Sequence, residues 1–352
     1  MRWRLTVWLV PLVAMLGVLR FAHAPTRDLS HLRPLRPEGE DAPGHLRPRR
    51  ELQLHAHLTA QGVALDWVGT EPAKVVRSTA VIARSGLNGS LYPVCVLGSY
   101  RGQALDPTPP DGVRLFYQLE VGTQVSEVVS VDTPARPLPT LQAPELWVDK
   151  LHYVLEVREA GVCRKRYPLA LGKNPRGRKL YYDNSTTPEG LYRITGLQSD
   201  SPFHKAYDMD YPTGLDHVRY SMARRDGYQF PDGATGYPPI GGEIEIHAGD
   251  IQHNATSGCI CLREADIDEL FAHPEIAAGC RLTIVGSEFT PEMAGGRSDY
   301  KRVQDRLRAL GSNPGSSDGK LGLSTCRALG RFQESRGLPL TLLPDPATLR
   351  AL

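Results

Sequence analysis

Apolar residues recur with one period over most of this chain and with another at its end, and that change limits the folds it can adopt. Between residues 51 and 134 short alternating runs lie between turn residues. Among them are Gly62-Val63-Ala64-Leu65-Asp66-Trp67, Thr79-Ala80-Val81-Ile82-Ala83-Arg84-Ser85, Tyr92-Pro93-Val94-Cys95-Val96 and Val113-Arg114-Leu115-Phe116-Tyr117-Gln118-Leu119. A period of two is the mark of half-buried strands, whose successive side chains face opposite sides of a sheet. Strands spaced this closely predict a β-sandwich of fewer than about a hundred residues. Pro134, Pro137, Pro139 and Pro144 then mark a linker.

Alternation resumes over 145–287, in Leu146-Trp147-Val148-Asp149-Lys150, in Tyr153-Val154-Leu155-Glu156-Val157-Arg158, and after the turn Thr187-Pro188-Glu189-Gly190. The spacing of Ile267, Leu270 and Phe271 predicts one amphipathic helix, and Cys280–Val285 returns to strand. This block is mainly sheet. Over 300–352 the period becomes helical. Val303, Leu307 and Leu310 share a face, Gly311 ends that helix, Thr325 caps a second carrying Ala328, Leu329 and Phe332, and Asp345 or Pro346 starts a third. Three small helices around an apolar centre form a binding module. The fold class is therefore multidomain.

The start of the chain reads differently. Met1-Arg2-Trp3-Arg4, an apolar stretch from Leu5 to Leu19, and Ala22 and Ala24 at a small-x-small site describe a secretory signal over 1–24. The stretch is short for a membrane span, so an uncleaved anchor is the minor alternative. Residues 25–50 alternate proline and arginine without apolar periodicity, which reads as an extended spacer. Export to the periplasm or cell envelope is the expectation. A net charge of +2 over 352 residues gives no reason to invoke nucleic acid. The six cysteines lack zinc-ligand spacing, so no metal or cofactor is expected.

Chemistry concentrates in Ile246-His247-Ala248-Gly249 and Thr256-Ser257-Gly258-Cys259-Ile260. A thiol between a glycine and a β-branched residue, with a histidine shortly upstream, is the minimum equipment for thioester chemistry. Gly258 lets a carbonyl approach and lets the Gly258 and Cys259 N–H groups face an oxyanion. Thr256 and Ser257 are candidates to bind substrate or to orient His247, and a plain polar turn is an equal alternative. His253 reads as loop surface, and Cys95, Cys163 and Cys326 as small buried hydrophobes. Cys261 is a candidate resolving thiol or a partner for Cys280; an inert small residue is the alternative.

The alternating segment 51–134 resembles a fibronectin type III or immunoglobulin-like domain, which implies a spacer or docking surface. The tail, with Val303-Gln304, Asp318-Gly319-Lys320-Leu321-Gly322 and Phe332-Gln333, resembles the small peptidoglycan-binding domain of bacterial wall enzymes. The block 145–287 resembles the YkuD-type L,D-transpeptidase catalytic domain. The matching pieces are Tyr167-Pro168, Gly172, Thr187-Pro188-Glu189-Gly190-Leu191-Tyr192-Arg193-Ile194, Phe203-His204-Lys205-Ala206, Tyr211-Pro212, Glu245-Ile246-His247, Thr256-Ser257-Gly258-Cys259-Ile260 and Asp266–Phe271. The resemblance is to a Thr-x-Gly-Cys branch. Ser257 stands where the commoner form has a second histidine, Thr256 takes its serine position, Cys261 replaces its arginine, and Ala248 its glycine.

This resemblance implies that Cys259 is the nucleophile and His247 its general base, with His204 and Tyr211 lining the groove. The implied partners are peptidoglycan stem peptides and glycan. The implied reaction is attack on a tetrapeptide stem, loss of its terminal D-amino acid, and transfer of the acyl group to an amine. Three alternatives stand beside it: a hydrolase using the same residues, a catalytically silent wall-binding protein, and a zinc peptidase, which His247 and His253 do not support.

Overall fold

The computed structural model describes residues 52–352 other than 70, 83–88, 90, 178 and 226–237. The expected signal over 1–24 and spacer over 25–50 lie outside the described residues. The first alternating runs become β1 (Leu54–Thr59), β2 (Gly62–Trp67), β3 (Ala73–Ser78), β4 (Val94–Tyr100), β5 (Gln103–Asp106), β6 (Arg114–Val121), β7 (Gln124–Val125) and β8 (Val129–Asp132). They form two sheets, β1-β2-β5 and β4-β3-β6-β7, with β8 also on β6. Leu54, Val63, Leu65 and Trp67 from the first sheet share one core with Val75, Leu115, Tyr117 and Leu119 from the second. The run expected as a strand from Thr79 is not one in its described part. Ser78 Oγ donates to Pro93 O and accepts the Ala80 N–H, which turns the chain out of the sheet just after β3.

The middle block supplies β9 (Pro144–Asp149), β10 (Val154–Glu159), β11 (Val162–Pro168), β12 (Gly190–Ser201), β13 (His204–Met209), α1 (Gly214–Arg225), β14 (Glu245–Ala248), β15 (Ile260–Leu262), α2 (Glu264–Phe271) and β16 (Arg281–Val285). Its sheet runs β11-β10-β9-β16-β12-β13-β14-β15. Most neighbours are antiparallel, but β14 and β15 are parallel, as are β9 and β16. The expected amphipathic helix is α2, whose Ile267 and Leu270 join Leu155, Tyr207, Ile246 and Leu262 in the main core. α1 was not foretold, although Leu215, Val218 and Met222 recur along it at helical spacing, all three only half-buried.

A buried ion pair, Arg77–Asp106 at 2.6 Å, joins β3 to β5 across the two N-terminal sheets, and its arginine reaches on to this block. Asp106 also accepts from Tyr117 Oη, and Arg77 also donates to the His152 carbonyl. Each charge is thus paired and hydrogen-bonded, as burial requires.

The tail folds into α3 (Arg297–Ala309), α4 (Leu323–Ser335) and α5 (Pro346–Ala351). Val303 and Leu307 pack on Ala328, Leu329 and Phe332. Gly311 takes φ +81° just after α3, a left-handed turn that glycine makes without strain. Asp345 caps α5 by accepting the Thr348 N–H at 2.8 Å. The expected cap at Thr325 is corrected: Gly322 occupies that position. Thr325 lies a turn inside α4, where its buried hydroxyl accepts from Gln304 Nε2 at 3.0 Å.

Candidate active site

Strand alternation decides which way the motif residues face. Ile246 and Ala248 of β14 enter the main core together with Ile260 and Leu262 of β15. The residues between them, His247 and Cys261, are register partners and project from the other face. Cys259 precedes β15 by one residue, and the same alternation carries it to the face of His247. Two residues of offset on neighbouring strands separate the α-carbons of His247 and Cys259 by roughly 8 Å.

The turn that presents Cys259 depends on two glycines in contact. Gly258 has φ +137°, and a Cβ there would lie 2.8 Å from the Thr186 carbonyl oxygen. A Cβ on Gly172 would lie 2.1 Å from the Ser185 carbonyl oxygen and 3.1 Å from the Gly258 α-carbon. Only backbone fits at this crossing, where Gly172 bridges Thr256. Thr256 Oγ1 donates to the Cys259 carbonyl at 2.7 Å and accepts the Gly258 N–H at 3.2 Å. The threonine therefore fastens the turn, and the Gly258 N–H that was expected to face an oxyanion points into it. Ser257 is exposed.

His247 is buried, and its Nδ1–H donates to the Ala248 carbonyl at 2.8 Å. A carbonyl only accepts, so this contact fixes the tautomer and leaves the Nε2 lone pair as the basic site. Phe203 stacks on the imidazole with ring centroids 4.5 Å apart. The Cys259 thiol donates to the Glu243 carbonyl at 3.5 Å rather than to the imidazole. Burial raises its pKa, against the Glu245 N–H and the Lys179 ammonium, which favour the thiolate.

The other site candidates separate. Tyr211 is buried, with its ring 5.8 Å beneath the Lys179 ammonium. His204 is turned to α2, where Nε2 meets Asp268 Oδ1 at 2.8 Å. His253 is exposed and paired with Asp250 at 2.6 Å.

Cys261 and Cys280 do not pair, since all six cysteines are free. Cys261 lies against Ala170 and Ile251, with its thiol pushed up to about 12 by burial. Cys280 precedes β16, and β12, β13 and β14 stand between β16 and β15. Four strand spacings come to roughly 19 Å, far beyond disulfide reach.

Three contributors escaped the sequence reading. Asn254 is buried: its Oδ1 accepts the Leu171 N–H, while Nδ2 donates to the Tyr92 carbonyl and to Tyr153 Oη. It ties the loop before the Thr256–Cys259 turn to the N-terminal sheets. Glu189, read as part of a turn, is buried and accepts from Lys150 Nζ at 2.9 Å and from the Glu288 and Phe289 N–H groups. Lys179, in a loop with no periodicity, gave no signal at all.

Residues 143–285 match the YkuD family model, an L,D-transpeptidase catalytic domain, and residues 296–352 match a peptidoglycan binding domain. The chain thus carries an L,D-transpeptidase catalytic domain followed by a peptidoglycan-binding domain. No curated protein sequence matches the chain. Among solved structures, it is similar to the L,D-transpeptidase (residues 123–326) from Xylanimonas cellulosilytica at 15% identity, over 43% of this chain and 64% of that one, with a TM-score of 0.26. It thus spans less than two thirds of that structure. It is similar to Mycobacterium tuberculosis L,D-transpeptidase 1 at 13% identity, over 50% of this chain and 73% of that one, again with a TM-score of 0.26.

Proposed function

We propose that the chain is an exported cysteine L,D-transpeptidase that crosslinks or remodels peptidoglycan. What carries this reading is the placement of Cys259 and His247 on one face of the parallel pair β14/β15, with the His247 tautomer set to leave Nε2 basic. In the proposed reaction Nε2 takes the thiol proton, and the thiolate attacks the carbonyl of a stem peptide. The carbon–nitrogen bond breaks, and the imidazolium returns the proton to the departing D-amino acid. An amine from a second stem then attacks the thioester and gives up its proton to the imidazole, and the thiolate leaves. Tyr211 lines the donor side of this cleft.

The C-terminal domain raises the local concentration of substrate by holding the enzyme on the wall. The N-terminal sheets, read as a fibronectin- or immunoglobulin-like module, serve as a spacer. Export follows from the basic and then apolar start of the sequence and from the location of the polymer.

The test is incubation of the full chain and of Cys259→Ala with disaccharide-tetrapeptides, analysed by mass. Dimers and a thioester adduct, both lost in the variant, are the expected result. Trimmed monomers alone would assign a hydrolase. Identical products from both chains would leave only wall binding.

A further inference from the structure

Next to the nucleophile lies a cation that the acyl-transfer steps leave unused. Lys179, in the loop between β11 and β12, is only 8% exposed. Its ammonium lies 5.8 Å over the Tyr211 ring, and a Cβ on Gly258 would lie 3.3 Å from Nζ. The charge therefore abuts the residue immediately before Cys259.

Two other buried lysines of this domain show what a purely structural lysine does. Lys150 pairs with Glu189 and donates to the Thr187 carbonyl at 2.7 Å, and Lys165 pairs with Glu269. Lys179 has no carboxylate within ion-pair distance among the described residues. The charges that act on it are Cys259, Asp183 and, with repulsive effect, Lys150. Cys259 does not neutralise it, because burial keeps that thiol protonated. Burial draws the Lys179 pKa down to about 8, against the opposing pull of Cys259 and Asp183, so the ammonium is charged at neutral pH. A buried ammonium with no counter-ion among the described residues is unfavourable, and an arriving anion relieves it.

The position of Nζ selects the anion. In a peptide whose carbonyl carbon is under attack, the carboxylate carbon of a C-terminal leaving residue lies three bonds beyond it, across N and Cα, roughly 3–4 Å away. An ammonium one residue from the nucleophile is within reach of it. We propose that Lys179 anchors the donor, binding the free α-carboxylate of the residue expelled when Cys259 is acylated. Donors are thereby restricted to peptides that end one residue past the scissile bond. This rests on Cys259 acting as the nucleophile.

A direct test needs no turnover. Cys259 in the full chain is alkylated with iodoacetate, an anion, or with iodoacetamide, which is neutral, and the rates are read by mass at the Cys259 peptide. The ratio of the two rates should fall by roughly 10-fold or more in Lys179→Met and be largely kept in Lys179→Arg. A second arm compares tetrapeptide donors that end in a carboxylate with the same peptides ending in an amide. The wild-type chain should favour the carboxylate by roughly 10–100-fold in kcat/KM, mostly through KM, and Lys179→Met should lose that preference. Unchanged alkylation ratios, or a carboxylate preference that survives in Lys179→Met while the wild type is active, would overturn the anchor alone. A wild-type chain that processes no peptide, although its alkylation ratio responds to Lys179, would overturn the acyl-transfer reading and the donor role with it.

Discussion

In the C-terminal domain the fully buried amide of Gln333 donates to Thr341 Oγ1, the Leu343 carbonyl and Thr348 Oγ1, and accepts the Leu342 N–H. Gln304 does the same one helix earlier, donating to Asp318, the Lys320 carbonyl and Thr325, and accepting the Gly319 N–H. In the cleft, Lys179 is buried over an aromatic ring with no ion-pair partner among the described residues, and the Cys259 thiol is held protonated at the mouth of a glycine turn. Both regions hide polar groups from water. The glutamines use every donor and acceptor to close two turns of a small domain, and such networks add rigidity. The cleft leaves its polar groups incompletely served, the condition under which a ligand has most to contribute.

The largest effect should come from the cleft. His247→Ala should lower acylation by about 10²–10⁴-fold, the usual contribution of a positioned base, with little change in melting temperature. Single-turnover acylation followed by mass measures it. A variant that acylates at the wild-type rate would remove the imidazole from the reaction and weaken the contrast between the regions.

Gln333→Ala should act in the opposite sense. It leaves the buried Thr348 hydroxyl and the Leu342 N–H without this partner and takes one bond from Thr341 Oγ1 and from the Leu343 carbonyl, with a loss of about 3 kcal/mol from the C-terminal domain. Pull-down on sacculi should fall while turnover of soluble tetrapeptides persists. Equal loss of both would mean that the helices support the catalytic domain as well as the wall contact.

Sequence alone disclosed what depends on local period and local turn chemistry. The alternation in Leu115, Tyr117 and Leu119, the helix around Ile267 and Leu270, and Asp345 as a cap all rest on neighbours within one element. The Thr256–Cys259 turn was legible only through the motif as a whole, since a glycine beside a cysteine also occurs at Gly279-Cys280, just before the plain strand β16. Long-range placement was not legible. Lys179 and Asn254 owe their positions to loops brought together by the sheet order. Thr256 looked like a substrate contact until its hydroxyl was seen to bond both sides of its own turn. The distance from Cys261 to Cys280 depends on three strands lying between β15 and β16, which spacing in the chain does not encode. α1 offers Leu215, Val218 and Met222 at helical spacing, but they are diluted by polar residues and only half-buried, so its signal is weaker than that of α2.

The smallest expected effect is also the sharpest division between the regions. If the Lys179 charge is poorly compensated, Lys179→Met should stabilise the protein while it weakens donor binding, a trade that no substitution of Gln333 can make. The sign follows from linkage. The lysine pKa is lowered from 10.5 to about 8 on folding, so between these values the unfolded chain binds more protons, and stability rises with pH. Below about pH 8 both states carry the charge, and the full penalty of burying it is present. The variant should therefore exceed the wild type by about 2 kcal/mol at pH 7, allowing for solvent near the cleft, and the gap should close as pH climbs from 8 to 10.5. Tyr211, Cys259, Asp183 and Lys150 face the same ammonium in the wild type, and all four are kept in the variant, so the difference between two urea melts isolates Lys179. A variant less stable than the wild type at pH 7 would mean that the ammonium already has an adequate partner within the fold, and the cleft would then bury its charge just as the C-terminal domain buries its amides.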